Sequence, residues 1–272
     1  MPGMDGAELL ARVQKLHPGA ARIVLSGQAD PEATARAVGL AHQFLSKPCD
    51  TEQLRVTIAR TCELRSLLAD EKVASAVCGM GTLPSMPELY TEFTKEISKE
   101  DASIGRIEKI IGQDIAMTAK MLQLVNSSFF GLQREIVKIE EAISYLGLEV
   151  IQGLIISDAA FRALEDADVK HFSQLWQHSL FTGTLAKEIA ASASEDKRIS
   201  GEALQAGMLH DIGELILAAS FPDEAKAIRE MPDDESSPQW KREFDAFGCD
   251  HGRAGAYMMG LWGLPDGIVE AI

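Results

Sequence analysis

The pattern of apolar residues changes once along the chain, at Leu83, and this change limits the folds that the chain can adopt. Upstream of Leu83, short buried-strand signals at 22–26 and 42–45 alternate with helical periodicity over 7–16 and again from 51. Alternation of this kind predicts parallel strands joined by helical crossovers. Downstream, strand signals vanish and apolar residues recur with helical spacing. The sequence therefore predicts a mainly α protein, with an N-terminal α/β part and a larger all-α domain.

The same change of pattern divides the chain into three parts. Residues 1–50 are expected to form the α/β part, residues 51–77 a connecting helix, and residues 83–272 the all-α domain. The connecting helix is expected to be continuous from Thr51 to Ala74, because no Gly or Pro interrupts it. A continuous helix could carry movement between the two domains or supply the seam of a homodimer.

Further helices follow from capping residues and periodicity. Asp30 and Pro31 suit the N-cap and the first position of a helix in the α/β part. In the all-α domain, helices are expected at 88–99, 103–112, 115–126, 139–145, 148–164, 173–193, 201–218, 223–230, 238–247, 250–261 and 266–272.

The net charge of −15 is unevenly distributed. Residues 1–75 are neutral, so residues 76–272 carry all of it. Such a surface repels phosphate backbones, and we therefore expect no non-specific binding to nucleic acid. The alternative is that the acidic surface has no functional role beyond keeping the protein soluble.

Several features indicate a cytoplasmic protein. No run approaches the roughly 20 apolar residues of a membrane helix, and the residues after Met1 lack the pattern of a signal peptide. The four cysteines form no CxxC pair and are typical of reduced thiols, not of a disulfide framework: Cys49, Cys62, Cys78 and Cys249.

Two polar residues end the predicted strands of the α/β part. Ser26 follows the first strand signal and Lys47 the second. Ligands of open α/β sheets bind outside the carboxyl ends of strands, where a hydroxyl and an ammonium group could both reach a phosphoryl group. Ser and Lys also end many strands without any function, so the spacing alone leaves open the alternative that Ser26 and Lys47 have only a structural role.

Three blocks in this part resemble the second half of a response-regulator receiver domain: MPGMDG (1–6), LSGQAD (25–30) and FLSKP (44–48). The resemblance implies that Ser26 and Lys47 contact a phosphoryl group, that the Lys47–Pro48 peptide bond is cis, and that a histidine kinase is the upstream partner. In the family, the phospho-accepting aspartate and the magnesium-binding acidic pair precede the position of Met1. We therefore expect no receiver-type phosphorylation within residues 1–50.

In the all-α domain, His178, His210, Asp211 and His251 form a candidate metal site. His and Asp side chains suit a divalent cation such as Zn, Fe, Mn or Ni. Adjacent His and Asp on one helix can both reach an ion that lies between neighbouring helices. The alternative is a set of hydrogen-bonded polar residues at a helix crossing. His17, His42 and His171 fit no such set and are expected at the surface.

Six ordered segments of this domain resemble the HDOD domain, a bacterial signalling branch of the HD superfamily: LPSMPELY (83–90), IIGQDIAMTAKMLQLVNSSFFG (110–131), IEEAISYLGLEVIQGLII (139–156), LWQHSLFTGTLAKEIA (175–190), AGMLHDIGELIL (206–217) and FGCDHGRAGAYMMGLWGLPDGIVEAI (247–272). The resemblance implies that His178 matches the upstream metal histidine of the superfamily and His210–Asp211 its doublet. His251 matches a histidine of the HD-GYP branch.

The resemblance favours a regulatory function over a catalytic one. HDOD domains are generally regarded as non-catalytic, and Glu214 stands where the HD-GYP signature has a lysine that would attract phosphate. The sequence therefore predicts a response regulator whose HDOD domain is an interaction module for an output protein, with no certain cofactor. The alternative function is that of a metal-dependent phosphohydrolase acting on nucleotides or cyclic dinucleotides.

Overall fold

The computed structural model describes residues 4–26, 37, 39–81, 83–99, 101–126, 135–147, 162–163, 169–232 and 236–272. The helix expected to begin at Asp30 and Pro31 lies outside these residues, as does most of the helix expected at 148–164.

The N-terminal part has the predicted α/β organisation. Helix α1 (Gly6–Leu16) begins with a capping box, in which the Asp5 side chain accepts a hydrogen bond from the backbone N–H of Glu8 and the Glu8 side chain accepts one from Asp5. Strands β1 (Ile23–Ser26) and β2 (Gln43–Ser46) pair in parallel, with their ends in register. The two strand signals and the helix signals over 7–16 and from 51 are therefore confirmed.

The expectation of one continuous connecting helix is wrong. Helix α2 (Thr51–Leu64) ends in a short 3₁₀ turn at Arg65–Leu67, and a new helix, α3 (Glu71–Gly79), begins after Asp70. The Asp70 carboxylate accepts hydrogen bonds from two backbone N–H groups of the first turn of α3. Such an N-cap stabilises a helix start by about 1 kcal/mol, so a helix can restart where no Gly or Pro stands.

The described residues of 83–272 are predominantly helical, as predicted, but they also contain a short parallel pair of strands, β3 (Pro84–Ser85) and β4 (Arg162–Ala163). The expectation that strands vanish after Leu83, and that 162–163 are helical, is wrong at these residues. The helices are α4 (Pro87–Ile97), α5 (Ile104–Ile111), α6 (Ile115–Val125), α7 (Ile139–Leu146), α8 (Val169–Ala193), α9 (Lys197–Leu209), α10 (Ile212–Ser220), α11 (Pro222–Arg229), α12 (Gln239–Phe247), α13 (His251–Leu261) and α14 (Asp266–Val269).

One hydrophobic core runs through both parts of the chain. Phe44 of β2 and Leu64 of α2 belong to the same buried cluster as Trp262, which follows α13. A Cβ atom on Gly260 would lie 2.7 Å from the Leu64 side chain, so α2 packs directly on the backbone of α13. The α/β part is thus docked onto the helical domain by apolar contacts.

Among the described residues, no helix is both long and apolar enough to cross a membrane.

Candidate functional site

The candidate site lies at a break between two helices. A single helix was expected over 201–218, but α9 ends at Leu209 and α10 begins at Ile212, and Asp211 has φ −102° and ψ 13°. His210 and Asp211 occupy this break, so their adjacent side chains can converge. The Nε2 atom of His210 lies 3.0 Å from Oδ2 of Asp211.

Glycines bring the surrounding helices close enough to complete the site. A Cβ atom on Gly207 of α9 would lie 2.7 Å from the Cα atom of Gly183 of α8. Likewise, a Cβ atom on Gly213 of α10 would overlap the carbonyl oxygen of His251 at the start of α13. Both crossings depend on a glycine, which has no side chain to keep the helices apart, and they place α8 and α13 beside the helix break.

The side chains of three of the four predicted site residues lie close together. The Nε2 atom of His178 lies 3.2 Å from Nε2 of His210 and 3.5 Å from Oδ2 of Asp211. One ligand atom from each residue falls within a group spanning no more than 4.8 Å. Ligand atoms bound about 2.0–2.2 Å from a common ion are separated by roughly 3–3.5 Å. The three residues therefore fit a divalent transition-metal ion.

His251 is brought to the same carboxylate but to its other oxygen. Its Nε2 atom lies 3.7 Å from Oδ1 of Asp211. Its Nδ1 atom lies 2.6 Å from Oε2 of Glu243, and the same oxygen accepts a hydrogen bond from the His251 backbone N–H at 2.9 Å. Glu243, on α12, is 4% exposed and was not among the residues singled out from the sequence.

Hydrogen bonds and neighbouring charges determine the protonation of His210 and His251. A carbonyl oxygen only accepts, so the contact of His210 Nδ1 with the Gly207 carbonyl at 2.9 Å requires a proton on Nδ1. The side-chain hydrogen bond with Asp211 then raises the pKa of His210, against the effect of burial. Burial alone lowers the pKa of His251, but the hydrogen bond and charge of Glu243 raise it to about 9, with Glu214 and Asp211 contributing.

Asp211 is the centre of this charge arrangement. Burial alone raises its pKa, and the hydrogen bond and charge of His210, together with the charges of His251 and His178, outweigh burial and lower it. Asp211 is therefore held as a carboxylate, which is the form that can coordinate a cation or accept hydrogen bonds.

The receiver residues lie at the ends of the two parallel strands, as predicted. Ser26 ends β1 and is paired in register with Ser46 of β2, which Lys47 follows. Lys47 is exposed, and the Lys47–Pro48 peptide bond is cis. The side chain of Ser26 lies outside what the structure describes.

His42 is buried, so its expected place at the surface is wrong. Its Nδ1 atom accepts a hydrogen bond from the backbone N–H of Arg22 at 2.9 Å, and its Nε2 atom lies 2.7 Å from the carbonyl oxygen of Cys78. This pattern requires a neutral ring that donates from Nε2. Burial, with the neighbouring charge of Arg22, lowers the pKa of His42 to about 3. His17 is exposed, as predicted.

Polar side chains also join the two parts of the chain. The Gln123 amide of α6 donates to the carbonyl oxygen of His42 at 2.9 Å. The Gln43 amide of β2 donates to the carbonyl of Leu261 at 3.0 Å, and Arg60 of α2 donates to the carbonyl of Leu264 at 2.9 Å. The last two contacts lie at the C-terminal end of α13, whose first residue is His251.

Comparisons with known proteins agree with this two-part organisation. The family model of the response regulator receiver domain matches residues 1–59, and that of the HDOD domain matches residues 83–272. The chain is 26% identical over 219 residues to an uncharacterized protein of Treponema pallidum, which covers 80% of this chain and 42% of that protein. It is 35% identical over 63 residues to the uncharacterized protein YuxH of Bacillus subtilis, which covers 23% of this chain and 15% of that protein. The chain therefore spans less than half the length of each of these relatives.

Solved structures share the fold. The MmoQ response regulator from Methylococcus capsulatus has a TM-score of 0.58 at 24% identity, over 70% of this chain and 74% of that one. A virulence factor from Campylobacter jejuni has a TM-score of 0.50 at 19% identity, over 78% of this chain and 71% of that one. Likeness at these identities establishes the fold alone.

A receiver region followed by an HDOD domain defines a signal-transduction response regulator. The chain belongs to the HDOD family, whose model covers most of its length.

Proposed function

We propose that the HDOD domain of this chain is a non-catalytic regulatory module that binds an output protein under the control of the receiver. A histidine kinase acts as the phosphodonor of the whole protein, and Ser26 and Lys47, at the ends of the two parallel strands, are the candidate contacts of the receiver's phosphoryl group. The observation that carries the proposal is an apolar row on the outer face of α8.

This row consists of Phe181, Leu185 and Ile189, spaced four residues apart on one face of α8. They are 69%, 49% and 59% exposed, respectively. Single exposed apolar residues are common, whereas a contiguous row of large ones is typical of a protein-binding surface. His178, one turn before Phe181, connects the row to the histidine and aspartate cluster.

The route from the receiver to this cluster runs along α13. One end of α13 contacts Gln43 of the α/β part and Leu64 of the connecting helix α2, and the other end begins with His251 beside Asp211. A helix of 11 residues is a rigid element of about 16 Å. We expect this rigid helix to pass a shift of β2 or α2 on to His251, and this connection supports control of the HDOD domain by the receiver.

The charges around the cluster support the non-catalytic role. Metal-dependent hydrolysis of a phosphodiester needs an ion with an open coordination position, and a positive side chain beside the phosphate further stabilises the charge that develops there. Glu214, in the first turn of α10, instead adds negative charge close enough to raise the pKa of His251. A carboxylate at this place opposes the approach of a phosphate group.

A second candidate function, that of a metal-dependent phosphohydrolase, is favoured by one observation. His178, His210 and Asp211 offer three ligand atoms within 4.8 Å of one another, and the His178 side chain is 56% exposed. A substrate could thus reach an ion at this site. A hydrolysis assay of the wild-type chain beside folded His210→Ala and Asp211→Ala variants separates the two functions.

The interaction function is tested by affinity purification of the tagged chain from its native host, with quantification of the co-purifying proteins. The amount of at least one protein that co-purifies with the wild-type chain should be at least tenfold lower with the double variant Phe181→Ser/Leu185→Ser. Val56→Ser/Ile58→Ser is the matched control, because these side chains are 51% and 48% exposed on α2. Equal recovery with both double variants would contradict a binding surface on α8.

A further inference from the structure

The two carboxylate oxygens of Asp211 have different neighbours. Oδ2 lies 3.0 Å from Nε2 of His210 and 3.5 Å from Nε2 of His178. Oδ1 faces Nε2 of His251 at 3.7 Å. His251 stands outside the group of ligand atoms that lie within 4.8 Å of one another. His178, His210 and Asp211 therefore offer three ligand atoms that lie close together, and His251 contacts the other oxygen of the Asp211 carboxylate.

The His251 ring is itself held by Glu243. A single oxygen, Oε2 of Glu243, contacts both the ring Nδ1 at 2.6 Å and the backbone N–H at 2.9 Å. The other oxygen, Oε1, accepts a hydrogen bond from the Gln239 amide at 2.9 Å. Since a buried carboxylate is costly unless it is hydrogen-bonded, this arrangement fixes both Glu243 and the ring that it contacts.

We propose that Glu243 and His251 are positioning residues for a divalent metal ion bound by His178, His210 and Asp211, with His251 outside the coordination sphere. Glu243 keeps a proton on Nδ1 of His251 and aims Nε2 at Oδ1 of Asp211. His251 in turn orients the Asp211 carboxylate, so that Oδ2 points toward the two ligand histidines.

This assignment differs from the one that the sequence alone suggests, in which His251 is a fourth ligand. Two observations favour the outer position. His251 approaches the oxygen of Asp211 that points away from the other two histidines, and its ring is held on the far side by a residue of another helix, α12. Partners of this kind behind a metal ligand typically contribute about 10–100-fold to metal affinity. The inference goes beyond the proposed interaction function and does not rest on it.

The test is the binding of Co²⁺ to the full chain, with affinity from titration calorimetry and the number of bound imidazoles from X-ray absorption. The wild-type chain should bind one Co²⁺ with two imidazoles. Glu243→Gln should weaken binding by about 10–100-fold and leave two imidazoles. His251→Asn should also weaken binding and leave two imidazoles, because it removes no ligand.

Glu96→Gln is the matched control. Glu96 of α4 is as buried as Glu243, at 4% exposed, but its carboxylate pairs with Lys99, just after α4, and with Arg106 of α5. Its substitution should leave Co²⁺ affinity unchanged. Circular dichroism of each variant establishes that it is folded before titration.

Three results would overturn the proposal. One is the absence of Co²⁺ binding to the wild-type chain, because Glu243 and His251 would then have no bound ion to serve. Another is three bound imidazoles in the wild type that fall to two in His251→Asn, which makes His251 a ligand. The third is an affinity of Glu243→Gln equal to that of Glu96→Gln, which leaves Glu243 without a positioning role. None of these results bears on the apolar row of α8, so the two proposals fail independently.

Discussion

The backbone of Gly213 packs so closely on His251 that a Cβ atom on Gly213 would overlap the carbonyl oxygen of His251. This contact sets the distance between α10 and α13, and with it the distance between Asp211 and His251. The same principle operates between Gly183 and Gly207, where α8 crosses α9. The candidate site is thus assembled by close backbone contacts as well as by its polar residues.

Gly213→Ala should destabilise the protein by about 1–3 kcal/mol, the usual cost of overpacking a close contact. The methyl group has only backbone atoms to displace, so α13 must move away from α10. Chemical denaturation measures the change in the free energy of unfolding. Gly105→Ala is the control, since a Cβ atom there meets nothing within 4 Å. Because Gly105 is the second residue of α5, its substitution should stabilise the protein by less than the roughly 0.5–1 kcal/mol that Gly→Ala contributes in a helix interior. Equal effects of the two substitutions would contradict the close crossing.

Sequence periodicity predicts most helices here because their buried faces are made of large aliphatic residues, as in α6 and α10. It fails where a polar residue determines the structure. Asp70 restarts the connecting helix, and the break at His210 and Asp211 divides a run whose apolar pattern continues on both sides. No Gly or Pro stands at Asp70, His210 or Asp211, and the two glycines that flank the second break, Gly207 and Gly213, lie inside the helices.

The site was predicted in part, for a similar reason. His178, His210, Asp211 and His251 were identifiable as chemical types, but Glu243 was not. Helix α12 has a conspicuous apolar pair, Trp240 and Phe244, which is the natural choice for its buried face. In the structure this pair is 52% and 42% exposed, whereas Glu243 and Phe247 are buried. The signal available in the sequence was the spacing of four residues between Glu243 and Phe247, which places both on one face of α12.

The junction between the α/β part and the helical domain should weaken in acid because of His42. Its folded pKa of about 3 lies below the ordinary value of 6.5, so the unfolded chain binds more protons between these two pH values. Stability contributed by neutral His42 is therefore complete above pH 6.5 and is lost as pH falls toward 3. At pH 5 the loss amounts to about 2 kcal/mol.

This pH dependence is measured as the free energy of unfolding at pH 7 and at pH 5. The difference between the two pH values should be smaller by about 2 kcal/mol in His42→Gln than in the wild type. His17→Gln, which replaces an exposed histidine, should retain the wild-type difference. An unchanged difference in His42→Gln would show that His42 is not buried in the neutral form.

The bend between α2 and α3 should tolerate an insertion. Ala69 and Asp70 are exposed and lie between the two helices, so a Gly-Ser pair inserted between them extends a surface connection at small cost. The melting temperature should fall by no more than a few degrees. The same pair inserted between Thr61 and Cys62, within α2, should lower it much further. Equal losses at the two places would indicate that the connecting helix is continuous after all.

The central claim, that the HDOD domain regulates without catalysis, is tested most directly by a hydrolysis assay. The chain is supplied with Mn²⁺, Fe²⁺ or Ni²⁺ and assayed against cyclic dinucleotides, nucleoside triphosphates and an aryl phosphodiester, beside folded His210→Ala and Asp211→Ala variants. We expect no turnover above the buffer rate with any metal, and a lower melting temperature in both variants because Asp211 connects three histidines. Turnover by the wild-type chain that disappears in both folded variants would contradict the claim and establish a metal-dependent phosphohydrolase.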